Sequence, residues 1–362
     1  MKTLDQYLSQ ITPLNREAME QARSRLDSLA KPPGSLGKLE DIVVTLAGIS
    51  GQDIYCTDKR GVIIMAADNG VAAEGVASAP QETTCSQTVN FTKGITGVAV
   101  IAKQFNADLI IVDVGINATI CNPHIKNCKI RKATWNIAQG AAMTRNEAER
   151  AILVGIETTV EAINDGYTLL GAGEMGIGNT TTSAAVLCAL TGLPVERATG
   201  RGAGLKNEAY RHKIDVIETA LRHNKPDPSD PLDVLAKVGG FDIAAMAGVF
   251  IGGAYMKVPV VIDGFISIVA ALVAARMNPT VKEYLLASHA SSEHGYPYAA
   301  QAVGLEPCLN LNMRLGEGSG CPIMFAVIDA ACAVMRDMGT FEQANISEEY
   351  LSEIKDGGSF AV

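Results

Sequence analysis

Short runs of Val, Ile and Ala that are apolar at every position alternate with longer alanine-rich segments after residue 60. A strand that is apolar on both faces must be covered on both, as happens when helices pack against a parallel sheet. We therefore predict an α/β fold with a Rossmann-like parallel sheet and helices on both faces. The predicted strands are Gly61–Ala67, Leu109–Val114, Thr168–Ala172, Val258–Ile262 and Tyr284–Ala287.

The segments between these strands have the composition of buried helices. The clearest are Thr181–Leu190, Glu208–Arg222, Ile243–Tyr255 and Ile266–Met277. The last two lie in the most apolar part of the chain, but each apolar stretch is shorter than the roughly 18 residues that a membrane span requires. We expect both to lie in the core of the fold and no insertion into a membrane.

Both ends of the chain show helical periodicity instead. Residues 3–48 carry apolar side chains at helix spacing up to the turn-rich segment Lys31–Gly37, where prolines end the first helix, and a second helix follows from Leu39. Residues 322–362 return to helix. We predict two domains, namely a small helical domain from residues 1–50 with 296–362 and a large α/β domain over residues 51–295 that carries the ligand site.

The composition excludes several classes of partner. The formal net charge is −9, and 48% of the residues are hydrophobic against 19% charged. Nucleic acids and anionic membranes require a cationic face, which this acidic chain lacks. The amino-terminal segment lacks the apolar core of a signal peptide, so we expect a cytoplasmic protein. The eight cysteines are scattered, and the cluster Cys121, His124 and Cys128 lacks the full ligand set of a structural zinc, so we expect no metal.

Most of the predicted strands run into an acid, an amide or a hydroxyl placed beside glycine. In an open parallel sheet, ligands bind outside the carboxyl ends of the strands, so these side chains should meet at one edge. Carboxylates there suit sugar hydroxyls and a developing positive charge better than a polyphosphate, although any single pair has the alternative of a helix cap or turn. These strand ends are Asp68–Gly70, Asp113–Gly115, Gly173–Gly176, Asp263–Gly264 and Ser288–His289.

The segment Gly171–Thr182 is the richest of these strand ends. Its glycines let backbone N–H groups face an anion at the start of a helix, and its threonines add donors. It departs from the dinucleotide fingerprint because Glu174 would repel a pyrophosphate, and from the P-loop because Asn179 occupies the lysine position. A single phosphate needs less charge, so a mononucleotide fits best, with a ligand-free turn as the alternative. The candidate phosphate-binding residues are Gly176, Gly178, Asn179 and Thr180.

Three later segments add candidates. The glycine-rich Gly200–Leu205, which contains Gly202, precedes a helix with Lys213, whose ammonium is a candidate charge for the phosphate, although a lysine on a helix is more often solvated. Ser288–Gly295 supplies small hydroxyl residues after a strand. In Leu311–Gly320, Glu317 stands between glycines beside apolar residues. It is a candidate general base for a weakly acidic N–H, with a surface-loop glutamate as the alternative.

Taken in order from residue 31 to residue 320, these motifs resemble the nicotinate-nucleotide–dimethylbenzimidazole phosphoribosyltransferase family. The resemblance implies transfer of the 5-phosphoribosyl group of nicotinate mononucleotide to 5,6-dimethylbenzimidazole, giving α-ribazole 5′-phosphate and nicotinate in cobalamin biosynthesis. It also implies a homodimer, with neither a metal nor a cofactor. The motifs are Lys31–Gly37, Ala67–Val71, Gly173–Thr181, Gly200–Gly202, Asp263–Gly264 and Arg314–Gly318.

The family pattern also implies roles for individual residues. Glu317 matches the catalytic base, and Glu174 is a carboxylate that can stabilise positive charge on the ribose. The benzimidazole pocket would draw on the loop Ser78–Gln87, on Met175 and on Leu315. The residues that match positions around the nucleotide are Glu174, Gly176, Lys213, Asp263, Gly264 and Ser291.

These assignments depend on one geometric expectation, that Glu174, Asp263 and Glu317 meet around a single cavity of sugar-phosphate size. Two other functions remain open at this point. The glycine-rich loop also occurs in NAD(P)-dependent dehydrogenases, against which Glu174 counts. The chain could also bind a mononucleotide without turnover, a function that has no role for Glu317.

Overall fold

A computed structural model describes residues 2–202 and 204–347 and contains one six-stranded parallel sheet. This confirms the predicted α/β fold. The five predicted strands are all present, with bounds shifted by a few residues, and a short sixth strand was not predicted. The strands are β1 (Arg60–Ala67), β2 (Ala107–Gly115), β3 (Ile125–Asn127), β4 (Leu169–Met175), β5 (Val260–Ile262) and β6 (Leu285–Ala287).

Helices account for most of the remaining described chain. Two are short 3₁₀ helices, Gly70–Glu74 and Pro279–Tyr284. The α-helices are α1 (Leu4–Leu8), α2 (Arg16–Ser28), α3 (Lys38–Ser50), α4 (Glu82–Thr92), α5 (Gly97–Gln104), α6 (Arg145–Asn164), α7 (Asn179–Thr191), α8 (Val195–Ala198), α9 (Asn207–Asn224), α10 (Pro231–Val238), α11 (Phe241–Met256), α12 (Phe265–Met277), α13 (Tyr296–Val303), α14 (Cys321–Asp337) and α15 (Phe341–Ala344).

The strand order, β3-β2-β1-β4-β5-β6, fixes where a ligand can enter. From β1 the chain builds the sheet outward in one direction through β2 and β3, and from β4 in the other direction through β5 and β6. At such a reversal the connections diverge and leave a crevice outside the carboxyl ends of the two central strands. Because Ala66 pairs with Met175, the residues after β1 and those at the end of β4 border the same crevice.

The core lies on both faces of the sheet. Side chains of a strand alternate between the two faces, and every residue from Val62 to Ala67 in β1 is completely buried. Helices α6 and α11 pack closely against each other. A Cβ on Gly155 would lie only 1.9 Å from the carbonyl oxygen of Ala245, so the close approach requires glycine there. In the described residues no helix combines the length and the apolarity needed to cross a membrane.

The described chain divides into two compact units whose bounds differ from the predicted ones. The larger contains the residues up to Thr12 and Lys59–Met324, and the smaller contains Pro13–Asp58 and the residues from Phe325 onward. Residues 296–324 group with the larger unit because α13 packs on α12 and because the loop before α14 donates hydrogen bonds to Asp263. Sequence periodicity could not reveal this, since it reports helices and not the element on which they pack.

The smaller unit contains the first motif of the sequence. In it α2 packs on α3, where Gly48 leaves room for the side chain of Met19. The Lys31 ammonium donates to Glu40 Oε1 at 2.8 Å, and the backbone N–H of Leu36 donates to the same oxygen at 2.9 Å. The turn of this motif is therefore held by a buried ion pair within the smaller unit.

Two details of the helical ends differ from the sequence prediction. The first helix was expected to continue to the prolines, but it breaks between α1 and α2. Pro13 has no N–H to continue a helix, and Asn15 caps α2 by accepting from the N–H of Ala18 at 3.2 Å. The predicted helix over 322–362 begins as α14 and α15, and its residues 348–362 lie outside the described part of the chain.

Candidate active site

A cavity of about 220 Å³ lies at the carboxyl edge of the sheet, entirely within the larger unit. The start of α7 and the end of β4 form one side, and the loop before α14 forms the other. The residues that line it are Val76, Ala77, Ser78, Ala79, Gln87, Glu174, Met175, Gly176, Ile177, Gly178, Asn179, Thr180, Arg201, Gly202, Leu205, Phe265, Ile266, Ser291, Glu293, Arg314, Leu315 and Glu317.

The cavity brings together most of the residues selected from the sequence, from segments far apart in the chain. Lys213, Asp263 and Gly264 are not among its lining residues. Lys213 lies behind Thr180, to which it donates a hydrogen bond. Asp263 accepts a hydrogen bond from the loop before α14. Gly264 directly precedes α12, and a Cβ placed on it would lie 3.6 Å from the hydroxyl oxygen of Ser291. The predicted site residues that line the cavity are Ser78, Gln87, Glu174, Met175, Gly176, Gly178, Asn179, Thr180, Gly202, Ser291, Leu315 and Glu317.

Glu174 is the second-last residue of β4 and lines the cavity. Its Oε2 accepts from the side-chain amide of Asn179, and its Oε1 accepts from the backbone N–H of Glu317 at 3.3 Å. Burial, together with the nearby negative charge of Asp242, raises the pKa of Glu174 to about 8. The carboxyl group is therefore mostly protonated at neutral pH while the cavity holds no cation.

Glu317 is held by donors from two helices. Gln87 Nε2, on α4, donates to its Oε1 at 2.6 Å, and the backbone N–H of Val98, on α5, donates to its Oε2 at 3.1 Å. Its backbone has φ +64°, a left-handed conformation that costs free energy for a residue other than glycine. Gly316 and Gly318 on either side also have positive φ. This turn directs the Glu317 carboxylate into the cavity against a local backbone preference.

Two glycines allow the loop and the strand to touch. A Cβ on Gly173 would lie 2.5 Å from the carbonyl oxygen of Glu317, and a Cβ on Gly316 would lie 2.5 Å from Glu174 Oε1. Both distances are shorter than any van der Waals contact, so a side chain at either position would push the loop off β4. Glycines of the motifs Gly173–Thr181 and Arg314–Gly318 therefore allow Glu174 and Glu317 to come together.

Asp263 does not join the two glutamates at the cavity, contrary to our expectation. Its Oδ2 accepts from the N–H of Gly318 at 3.1 Å and its Oδ1 from the N–H of Gly320 at 2.7 Å. The side chain is buried behind the loop, and this burial raises its pKa to about 7. Asp263 therefore anchors the turn that carries Glu317. A strand followed by an acid and a glycine does not by itself reveal whether the acid faces a ligand or a loop.

The opposite end of the cavity is built to receive an anion. Helix α7 begins at Asn179 after Gly178, which has φ +95°, and no side chain caps this end. Gly178, Asn179 and Thr180 line the cavity, so the positive end of the helix dipole lies beside it. The Lys213 ammonium is completely buried and donates to Thr180 Oγ1 at 2.7 Å. Burial lowers the pKa of Lys213 to about 8. Arg201 and Arg314 also line the cavity, and both lie near Gly202 and Glu293.

Sequence reasoning missed several residues of the site. Arg201 and Arg314 stand inside motifs that were recognised, and an arginine among glycines was an available signal. Glu293 lines the cavity, and burial raises the pKa of its carboxyl group, with Lys213 opposing the shift. Asp242 lies behind the cavity in an apolar helix, where no local pattern marks it.

The remaining wall is apolar and gives room for a flat ring. It combines Val76 and Ala77 from the loop before α4 with Met175, Phe265 and Leu315, and Ser78 and Gln87 add polar atoms at its margin. Apolar walls with a few placed polar groups are typical of sites for aromatic ligands. In residues 2–202 and 204–347, no group of three or more His, Cys, Asp or Glu side chains is arranged to hold a metal ion.

Known proteins share this sequence and fold along nearly their whole length. A family model described as phosphoribosyltransferase matches residues 11–346. A relative from Clostridium perfringens is 52% identical over 99% of this chain and 99% of its own, and one from Acetivibrio thermocellus is 51% identical over 97% and 100%. Both carry the name nicotinate-nucleotide–dimethylbenzimidazole phosphoribosyltransferase.

Solved structures agree with these relatives. The crystal structure described as CobT from Thermus thermophilus matches with a TM-score of 0.88 at 40% identity, over 91% of this chain and 99% of that one. A second crystal structure from the same organism, described as the nicotinate-nucleotide–dimethylbenzimidazole enzyme, matches with a TM-score of 0.87 at 39% identity, over 92% and 99%. Together with the motifs around the two glutamates, these matches show that the chain belongs to the nicotinate-nucleotide–dimethylbenzimidazole phosphoribosyltransferase family.

Proposed function

We propose that this protein transfers the 5-phosphoribosyl group of nicotinate mononucleotide to 5,6-dimethylbenzimidazole, releasing nicotinate and α-ribazole 5′-phosphate for cobalamin biosynthesis. One observation carries the proposal. Two glutamates joined by a hydrogen bond, Glu174 and Glu317, lie in one cavity between an apolar wall and a helix start that attracts anions. The reaction requires these three environments side by side, for the reacting sugar, for the incoming ring and for the phosphate.

The phosphate is placed at the start of α7. There the positive end of the α7 dipole attracts an anion, and the hydroxyl groups of Thr180 and Ser291, which line the cavity, supply hydrogen-bond donors. Lys213 reaches the same point through Thr180, and a bound phosphate would restore the pKa of its ammonium toward the usual value by adding an opposite charge. Arg201 and Arg314 line the same cavity and add positive charge. In this arrangement nicotinate mononucleotide, the phosphoribosyl donor, binds with its anomeric carbon toward Glu174.

The donor already contains a good leaving group. Its pyridinium nitrogen is positively charged, and cleavage of the bond to the ribose neutralises that nitrogen, so no acid is needed. Positive charge then develops on the ribose, and an ionised carboxylate in a buried site stabilises it far more strongly than water does. Glu174 is the carboxyl group that lines the cavity at this position.

Glu317 is the proposed general base. When one nitrogen of dimethylbenzimidazole attacks the anomeric carbon, the N–H of the other nitrogen becomes acidic and must lose its proton. The hydrogen bonds from Gln87 and Val98 hold the Glu317 carboxylate in place and leave further lone pairs open to the cavity. A positioned base of this kind contributes roughly 10²–10⁴-fold to the rate.

Attack and departure on opposite faces of the ribose determine the stereochemistry. The acceptor ring would occupy the apolar wall around Met175 and Leu315, with Ser78 and Gln87 at its margin. The nicotinate ring leaves from the other side, so a β-nucleotide gives an α-product by inversion. Neither alternative function, a dehydrogenase or a non-catalytic nucleotide module, accounts for this pair of glutamates.

Mixing the purified protein with nicotinate mononucleotide and dimethylbenzimidazole tests the function directly. We expect free nicotinate to appear in proportion to the protein and only when both substrates are present. Nicotinate released without the base would indicate a hydrolase, and no nicotinate with both substrates would refute the proposal.

We further propose that the protein works as a homodimer in the cytoplasm. Light scattering after size-exclusion chromatography should give twice the chain mass of 38.0 kDa. A mass equal to that of one chain would contradict the dimer.

A further inference from the structure

Asp242 is a completely buried carboxyl group that the reaction scheme does not use. It is the second residue of α11 and is not among the lining residues of the cavity. Its Oδ1 accepts from the backbone N–H of Ile243 at 3.0 Å. Its Oδ2 accepts from two side-chain amides, Asn69 Nδ2 at 3.3 Å and Asn179 Nδ2 at 3.1 Å.

The Asn179 amide links Asp242 to the catalytic centre. The same nitrogen, Nδ2, donates to Asp242 Oδ2 and to Glu174 Oε2, and its two hydrogens suffice for one bond to each carboxyl group. Asn179 is also the first residue of α7, so its backbone is fixed by that helix. The orientation of the Glu174 carboxyl group thus depends on an amide that Asp242 holds from behind.

Tight packing keeps Asp242 in this position. A Cβ on Gly176 would lie 2.5 Å from Asp242 Oδ2, and a Cβ on Gly240 would lie 2.3 Å from its Oδ1. Thr182 extends the network by donating to Asn69 Oδ1 at 3.3 Å. Both carboxyl oxygens of Asp242, both polar atoms of the Asn69 amide and the Nδ2 of Asn179 thus take part in hydrogen bonds, as expected for buried groups that must not rotate.

The surroundings of Asp242 and Glu174 favour one proton shared between these two carboxyl groups. Burial raises the pKa of Asp242 to about 6. The pKa of Glu174 is higher still, because its burial is reinforced by the negative charge of Asp242 and, to a smaller extent, of Asp263. The amides of Asn69 and Asn179 partly offset this effect. Arg131, which lies against the ring of the preceding Phe241, forms its ion pair with Glu147. Two carboxyl groups in one buried site then hold about one proton between them near pH 7.

We infer that Asp242 is a positioning residue for the proposed reaction: through Asn179 it orients the Glu174 carboxyl group and keeps it neutral until a pyridinium nucleotide occupies the cavity. This inference rests on the proposed function. Glu174 would lose its proton to solvent when the positive pyridinium binds, and no other bond forms or breaks in this step. The empty site thus avoids two unpaired buried charges, and the carboxylate forms where the reaction develops positive charge.

Proton release on binding of nicotinate mononucleotide alone tests the inference. Calorimetric titrations near pH 7, in two buffers of different ionisation enthalpy, give the number of protons released. We expect about one proton from the wild type and at most about half as many from Asp242→Asn, in which Glu174 no longer faces a like charge. The ionisation of the nucleotide phosphate contributes equally to both proteins. Asp27→Asn, which changes an exposed aspartate on α2, should match the wild type.

The pH profile supplies a second readout that a purely structural role would not move. The acidic limb of kcat/KM should shift to lower pH by about one unit in Asp242→Asn, because Glu174 ionises more easily. Equal proton release and an unmoved limb would overturn the inference. If Asp242→Asn does not fold, Glu174→Gln replaces it, and proton release equal to that of the wild type would again overturn it.

These outcomes are separate from a failure of the proposed function. The function fails if the wild type forms no nicotinate when both substrates are present, whereas proton release is measured without the base. If the wild type forms nicotinate but the Asp242→Asn variant releases as many protons as the wild type, the proposed function holds. Only the role of Asp242 is then refuted.

Discussion

The backbone N–H of Glu317 donates to Oε1 of Glu174 across 3.3 Å, although 143 residues separate the two in the chain. The bond joins the end of β4 to the loop before α14. Any movement of the loop therefore moves one carboxyl group relative to the other. In our account these two groups act on the same sugar, one on its developing charge and one on the incoming ring, so the relative position of the two matters more than the position of either alone.

Replacing the proposed base should stop turnover without preventing donor binding. Glu317→Gln keeps an oxygen for the N–H of Val98 but cannot accept the benzimidazole proton. We expect kcat to fall by roughly 10²–10⁴-fold while the Kd for nicotinate mononucleotide changes less than about threefold. Steady-state kinetics and calorimetry measure the two quantities. The control Glu218→Gln, an exposed change on α9, should behave as the wild type, and a Glu317→Gln variant with near-normal kcat would remove the assignment.

Glu174 should make the protein less stable as the pH rises. Folding raises its pKa from 4.5 to about 8, so the folded chain holds the proton more tightly than the unfolded chain between these values. The unfolding free energy therefore falls with rising pH across that window. From about pH 5 to about pH 8, Glu174→Gln should gain about 2–4 kcal/mol of unfolding free energy relative to the wild type. Urea unfolding at each pH measures the difference, and a difference independent of pH would contradict the burial of an ionisable group here.

Replacing Lys213 should weaken the binding of nicotinate mononucleotide and leave the binding of dimethylbenzimidazole unchanged. Its buried ammonium reaches the phosphate end through Thr180, and Lys213→Met keeps most of its apolar stem while removing the charge. We expect the KM for nicotinate mononucleotide to rise about 10–100-fold, the size of a lost charged hydrogen bond, with an unchanged KM for dimethylbenzimidazole. Lys206→Met, an exposed change just before α9, is the matched control. An equal rise in both KM values would point to general damage instead.

A side chain at position 173 should disrupt the contact between β4 and the loop before α14. In Gly173→Ala the new Cβ would lie 2.5 Å from the carbonyl oxygen of Glu317, so the loop must shift. We expect a loss of about 1–3 kcal/mol in stability and at least a tenfold loss in kcat. Gly140→Ala, where a Cβ would meet no atom within 4 Å, is the control. Full activity in Gly173→Ala would show that the two glutamates do not require this approach.

The central sheet could be predicted because its strands are apolar on both faces, a pattern that few other structures produce. Strand β3 could not, because Ile125–Asn127 is three residues long and only Ile125 is buried. It forms by pairing with the end of β2, and this tertiary contact leaves no periodic signal in so short a segment.

The direction in which a single side chain of the site points could not be predicted from the sequence either. Glu174 and Asp263 both stand where a strand ends beside a glycine, yet one faces the cavity and the other accepts from the loop N–H groups. Which way each points depends on register and on what packs behind it. Asp242 was missed for a related reason, since it lies at the start of an apolar helix and its partners come from two other segments.

The configuration of the product tests the central claim most directly. Proton NMR of the ribosylated base distinguishes the α from the β anomer after a single incubation of the protein with nicotinate mononucleotide and dimethylbenzimidazole. A cavity that holds the two rings on opposite faces of one ribose predicts only the α anomer. A β anomer, or a mixture of both, would mean that the two rings do not occupy opposite faces of the ribose as we describe.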